Sequence, residues 1–173
     1  MSTGRTVRSS VNDAVDQRAD AAHLDHGLQG PRSALFLRQG KKICAELDVP
    51  FYSKKAPILA LSQSAGRSVE ETGRAERYSF FAETARKTGS SKIATAHTSD
   101  DQAETVLLRI LRGSGLRGLG GIPIKRLEGK ITVIRPLLFC RKNDLLKALN
   151  EEKVGFVNDP TNRRTIFTRN RVR

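Results

Sequence analysis

The sequence predicts an α/β protein, a Rossmann-like parallel sheet with helices on both faces. Short β-branched or apolar runs alternate with segments of helical spacing along most of the chain, the order that builds parallel sheets. Helix starts carry capping signals and helix ends carry glycine. A hydrophobic content of 38% in 173 residues suits one domain with a modest core.

Residues 1–18 hold Arg, Ser and Asp with few large apolar side chains, and are expected to lie outside the domain as a disordered segment. The domain is expected over residues 19–173. Ala19 to Leu28 reads as a short buried strand closing on the turn Asp25-His26-Gly27. From Ser33 to Leu47, the residues Leu35, Phe36, Gln39, Ile43, Cys44 and Leu47 approximate helical spacing, weakened at Gly40 by up to ~1 kcal/mol. A strand over Val49–Lys54 follows.

Pro57 to Arg67 reads as polar and irregular. Ser68 with Glu71 forms a capping box for a long helix ending at Gly89, with Val69, Tyr78, Phe81, Ala82 and Ala85 on its apolar face. Lys92 to Ala96 is the next strand. Ser99 with Gln102 fits a second capping box, and Ala103, Val106, Leu107, Ile110 and Leu111 mark a buried stripe that leaves Asp101 and Glu104 off it. Gly113 to Gly129 reads as a flexible basic loop, Ile131 to Ile134 as a strand, and Lys142 to Lys153 as a final helix before the turn Asn158-Asp159-Pro160-Thr161-Asn162.

His97 to Gly115 is the stretch densest in chemistry. Asp101 and Glu104 sit at the helix's positive end and Arg109 and Arg112 near its negative end, a match worth ~0.3–1 kcal/mol per exposed charge. That match alone gives the acids a structural role. His97 adds a second reading, because it lies where a strand's carboxyl end meets a helix start, the edge at which open α/β sheets bind ligands.

Thirty-one Lys and Arg against eighteen Asp and Glu leave a formal charge of +13, which favours a polyanionic partner, nucleic acid first. The two cysteines, Cys44 and Cys140, form no Cys-x-x-Cys pair and are expected to be reduced thiols. No run is long and apolar enough for a membrane span, and no secretory signal is recognisable, so a cytoplasmic location is the default. A homodimer stays open.

Four colinear stretches resemble the catalytic domain of the tRNA(Ile)-lysidine synthetases, which are N-type ATP pyrophosphatases. They are His23-Leu-Asp25-His26-Gly27-Leu28; Glu70 to Tyr78 with Arg74 and Arg77; His97 to Gly115; and Arg135-Pro136-Leu137-Leu138 together with Asn158-Asp159-Pro160-Thr161-Asn162 and Arg169-Asn170-Arg171. The resemblance implies that ATP adenylates the C2 carbonyl oxygen of the wobble cytidine in an isoleucine tRNA with a CAU anticodon, and that the amine of lysine then displaces AMP. ATP and Mg²⁺ are the implied cofactors.

Site residues follow from the same resemblance. Asp101, Glu104, His97 and Arg77 are cast as catalytic. Asp101 would hold Mg²⁺ or orient substrates, and Glu104 would hold the lysine ammonium or take its proton. Asp25, His26 and Arg74 are cast as nucleotide-binding. Arg112, Arg117, Arg169 and Arg171 would bind tRNA, in a contact that weakens steeply with salt.

The family opens with an apolar strand and a Ser-Gly-Gly-x-Asp-Ser loop that cradles the ATP phosphates. Before Gly27 this chain has one glycine, Gly4, and no Gly-Gly pair. It is therefore expected to be a fragment or a reading frame with a displaced start, whose activity alone is in question. Gly73 replaces the usual family alanine. Two rival functions remain: a non-catalytic basic tRNA-binding fragment, and an ATP-dependent tRNA thiolase, which generally uses cysteines.

Overall fold

The computed structural model of the protein describes residues 19–28, 30–115 and 119–156. Two compact units divide at Gly89/Ser90, and each is built around parallel strand pairing.

In the first unit, β1 (Ala21–Asp25) pairs in parallel with β2 (Phe51–Lys55), in a register that runs from Ala21 opposite Phe51 to Asp25 opposite Lys55. The crossover between them is α1 (Pro31–Glu46), as parallel strands require a long connection. Gly40 sits within that helix for a packing reason: a Cβ there would come 3.3 Å from the ring of Phe51. Leu24, Ala56, Ile58 and Phe80 form the core, with Ala22, Leu61 and Phe81 packed against it.

The stretch expected to be irregular contains α2 (Ile58–Ala65). It starts after Pro57 and stops at Gly66, whose φ of 60° is the left-handed cap that glycine supplies without strain. At eight residues it is too short for helical periodicity to stand out, but Ile58 is fully buried and fixes the helix to the core. Next comes α3 (Val69–Thr88), with the predicted capping box in place: Ser68 Oγ accepts from the Glu71 amide at 3.2 Å, and Glu71 Oε2 accepts from the Ser68 amide at 3.3 Å. Such a cap contributes ~1 kcal/mol. Hydrogen bonding from Ser68 holds the Glu71 carboxyl below its ordinary range. Its buried residues are Thr72, Gly73, Phe80, Thr84 and Ala85, so of the expected face Ala85 is buried whereas Val69 is exposed.

In the second unit, β3 (Lys92–Ala94) pairs in parallel with β5 (Ile131–Ile134), and β4 (Lys125–Glu128) pairs with β5 antiparallel. The antiparallel strand corrects the reading of Gly113–Gly129 as loop throughout. Its end forms a hairpin with β5, turning at Gly129 with φ 62°, and its charged sequence Lys-Arg-Leu-Glu suits an edge. Ile131 and Val133 alternate inward and join Ile93 and Leu138 as the unit's buried apolar residues. The crossover helix is α4 (Ser99–Leu111), and α5 (Lys142–Glu151) closes the described residues.

Among the described residues no helix is long and apolar enough to cross a membrane. Residues 1–18 and the basic segment 163–173, with Arg169 and Arg171, lie outside the described residues, as do the 158–162 turn and Arg117.

Candidate functional site

In the second unit the chemistry gathers where β3 ends and α4 begins, at the carboxyl end of a parallel strand. His97 follows β3 by three residues, and its Nδ1 lies 2.9 Å from Thr95 Oγ1. The cap of α4 falls one residue earlier than expected. Thr98 is the N-cap, and Asp101 Oδ2 accepts from the Thr98 amide at 2.9 Å and from its hydroxyl at 3.0 Å.

The residues assigned to the rejected box are occupied elsewhere. Ser99 donates from its amide and its hydroxyl to the Cys140 carbonyl, at 3.0 and 3.1 Å. Gln102 Oε1 accepts from the Ile122 amide. Asp100 accepts from the Lys142 amide at 2.8 Å and so caps α5 from a distance.

Burial on α4 runs opposite to the expected stripe. Glu104 is 5% exposed, whereas Leu107, Ile110 and Leu111 are 47%, 52% and 72% exposed. The row Asp101, Glu104, Thr105 and Leu108, at helical spacing i, i+3, i+4, i+7, is buried at Glu104 and half-buried at the other three. Helical periodicity establishes that a stripe exists. It does not say which of two stripes faces in. Burying a carboxylate is unfavourable by several kcal/mol unless it is compensated, so a buried Glu104 beside a strand's carboxyl end is a candidate for function.

A second group holds the strap Gly121–Ile124 against this helix. Arg109 donates to the Gly121 carbonyl at 2.9 Å while Gln102 takes the next amide. Arg135, only 2% exposed, donates to the Pro123 carbonyl, and its own amide donates to Ile124 O at 3.0 Å. Its Nε has no hydrogen-bond partner among the described residues. The clamp of Gln102, Gly121 and Arg135 is not legible in the sequence, because three sequence-distant segments meet there; the Gly120-Gly121 pair is its one local signal. Arg112 caps the carboxyl end of α4 and is exposed.

In the first unit β1 ends on Asp25, and His26 opens the loop that follows. Asp25 Oδ1 accepts from the Gly27 amide at 2.9 Å, and that bond, with Ser33 and Lys55 helping, holds its carboxyl below the usual range. Gly27 adopts φ 67°, which glycine permits. Arg77 of α3 reaches back so that its guanidinium lies 3.0 Å from His26 Nε2. Arg74 instead lies over the Tyr78 ring, 5.6 Å from its centroid, a cation–π contact.

Burial, then the Arg77 charge, lowers the pKa of His26 from its ordinary 6.5; burial is likewise the main cause for His23, against the opposing pull of Asp25. An imidazole whose folded pKa is lowered takes up its proton in the unfolded chain first. Its contribution to stability is therefore complete above pH 6.5 and is lost as pH falls below that value. Urea unfolding at pH 7.5 and pH 5.5 is expected to show a lower midpoint at the acid pH, and the H23Q/H26Q double variant a smaller drop.

Among the described residues no three His, Cys, Asp or Glu side chains cluster as a metal cage. Asp101 can contribute one carboxylate, with Oδ2 already accepting from Thr98. That fits a magnesium ion held chiefly by substrate phosphates, the usual arrangement for that ion at nucleotides.

Several curated relatives match most of the chain. The tRNA(Ile)-lysidine synthase of Caldanaerobacter subterraneus subsp. tengcongensis is 40% identical over 151 residues, covering 87% of this chain and 32% of the relative. Those of Chlorobaculum tepidum and Petrotoga mobilis are each 36% identical, covering 95% and 96% of this chain and 49% and 52% of the relatives. The chain thus spans between about a third and a half of the length of these relatives. Among solved structures, a U34-tRNA thiolase from Methanococcus maripaludis superposes with a TM-score of 0.74 over 96% of this chain and 58% of its own, at 15% identity, which shows a shared α/β fold. The model of the PP-loop domain matches residues 6–173, and the chain belongs to that family.

Proposed function

We propose that the chain ligates lysine to C2 of the wobble cytidine of an isoleucine tRNA with a CAU anticodon, driven by cleavage of ATP to AMP and pyrophosphate. The observation that carries this reading is the inversion of α4, which buries Glu104 and half-buries Asp101 at a strand's carboxyl end and leaves Leu107, Ile110 and Leu111 outside. Membership in the PP-loop family implies use of ATP. Relatives carrying the name tRNA(Ile)-lysidine synthase supply the tRNA and the reaction.

Two steps are needed. The C2 oxygen of cytidine attacks the α-phosphorus of ATP, the bond to pyrophosphate breaks, and the base becomes an adenylate. The lysine ammonium then gives a proton to a base, the freed amine attacks C2, the C2–O bond breaks and AMP leaves. Glu104 holds the lysine and takes that proton. Asp101 stands at the positive end of α4, where it would orient substrate and would add one carboxylate to Mg²⁺, whose charge would offset the crowded phosphates.

His97 and Arg77 contact phosphate or cytidine as charge develops. Asp25 and Arg74 belong to the nucleotide side. Arg112, Arg117, Arg169 and Arg171 bind the tRNA backbone.

The thiolase reading is disfavoured by composition. That structural neighbour carries a [4Fe-4S] cluster, which takes mostly cysteine ligands, and this chain has two cysteines. The test is release of AMP that depends on both lysine and the tRNA. If tRNA is instead retarded in a native gel, in a manner that fades with salt, and no AMP appears, the basic RNA-binding alternative replaces the ligase.

A further inference from the structure

Arginine offers only N–H donors, so the 3.0 Å contact between the Arg77 guanidinium and His26 Nε2 requires a lone pair on that nitrogen. His26 is then a neutral imidazole with its proton on Nδ1. The ring is fixed from several directions. Its own carbonyl accepts from the Ile58 amide at 3.4 Å, and the preceding residue, Asp25, closes the turn onto Gly27.

The other wall is Gly73, one helical turn before Arg77 on α3 and so on the same side of that helix. A Cβ at Gly73 would stand 3.1 Å from His26 Nδ1 and 3.3 Å from Cε1, tighter than an ordinary contact. Glycine at this position therefore lets the imidazole lie against the helix and meet Arg77. Arg74, on the same helix, is engaged with Tyr78 instead.

We propose that His26 is a positioning residue for Arg77, accepting its guanidinium in a notch opened by Gly73, and does not itself contact the nucleotide. The proposal rests on the reading of Arg77 as part of the ligation site.

The charged and titratable groups around His26 are Arg77 from α3 and Asp25 and His23 from β1. Burial, Arg77 and His23 all disfavour the imidazolium, and Asp25 opposes them. Protonation would place a proton on Nε2, remove the acceptor and set two cations face to face. Arg77 would leave its position, so the reaction acquires an acid limb that belongs to His26.

Ring nitrogen shifts measured by long-range ¹H–¹⁵N NMR on the whole chain test the pairing without reference to turnover. Nε2 is expected to be the bare nitrogen at pH 7.5, and both R77A and G73A to move its shift; a protonated Nε2 at that pH overturns the proposal. Turnover as a function of pH tests the consequence. H26A is expected to lower kcat about tenfold and abolish the acid limb, and H26Q, whose amide oxygen can accept, to recover part of the rate with no limb. The H26A/R77A pair should be no slower than R77A alone.

Additive losses in the double variant, with R77A itself impaired, would overturn the positioning role and leave the ligase reading standing. Full turnover by R77A would overturn the proposal through the role given to Arg77, a failure the additive result cannot mimic.

Discussion

D101N is expected to reduce ATP-dependent lysine transfer at least a hundredfold while leaving the chain folded. The two consequences separate because Asp101 has two roles. As the third residue of its cap it accepts from the Thr98 amide and hydroxyl, and an asparagine carbonyl can accept in the same way. As a carboxylate at the positive end of α4 it carries charge that asparagine lacks, and removing one electrostatic group from a reacting centre typically costs ~10²–10³ in rate. T98A is the reciprocal variant. It loses the cap, ~0.5–2 kcal/mol of stability, and keeps the carboxylate. Comparing kcat with the urea midpoint for both variants checks the division: D101N should move the first and T98A mainly the second.

The largest effect on stability is expected from G121A. Gly121 adopts φ 62°, and a Cβ there would stand 2.6 Å from the Gln102 amide group. A left-handed non-glycine residue costs ~1–2 kcal/mol. The Gln102 side chain could turn aside, but it holds the Ile122 amide, and stranding that donor adds ~1–3 kcal/mol. Together they predict a loss of ~2–5 kcal/mol. G89A is the control, since Gly89 has φ 73° and nothing within 4 Å of an added Cβ, so only the backbone part of the loss is expected. Denaturant unfolding of both variants gives the comparison. Equal losses would mean that the contact between Gln102 and the strap contributes nothing.

Local signals in the sequence located most elements. The Ser68–Glu71 box and the Gly89 stop bound α3 because every partner in them lies within a few residues. Tertiary partners decided what local rules left degenerate. At the start of α4 two overlapping boxes are available, and Thr98–Asp101 prevails because Ser99 bonds Cys140, 41 residues away, and Gln102 bonds Ile122, 20 residues away. The same degeneracy reversed the stripe, since Ala103–Val106–Leu107 and Asp101–Glu104–Thr105 are both helical rows and periodicity does not rank them. Strand β4 escaped notice because a charged edge strand has no apolar alternation to read. Within the first unit the Arg77–His26 contact joins residues 51 apart, visible only once β1 and α3 are packed.

Asp101 and Glu104 of α4 are expected to serve transfer of lysine to cytidine. The most direct measurement is incorporation of radiolabelled lysine into a CAU-anticodon isoleucine tRNA transcript, with ATP and Mg²⁺, by the wild-type chain and by E104Q. Label mapped to the wobble cytidine, dependent on ATP and lost in E104Q, is the predicted result. An E104Q chain that is folded and transfers lysine at the wild-type rate, or a wild-type chain that retards the tRNA and leaves it unlabelled, would contradict it.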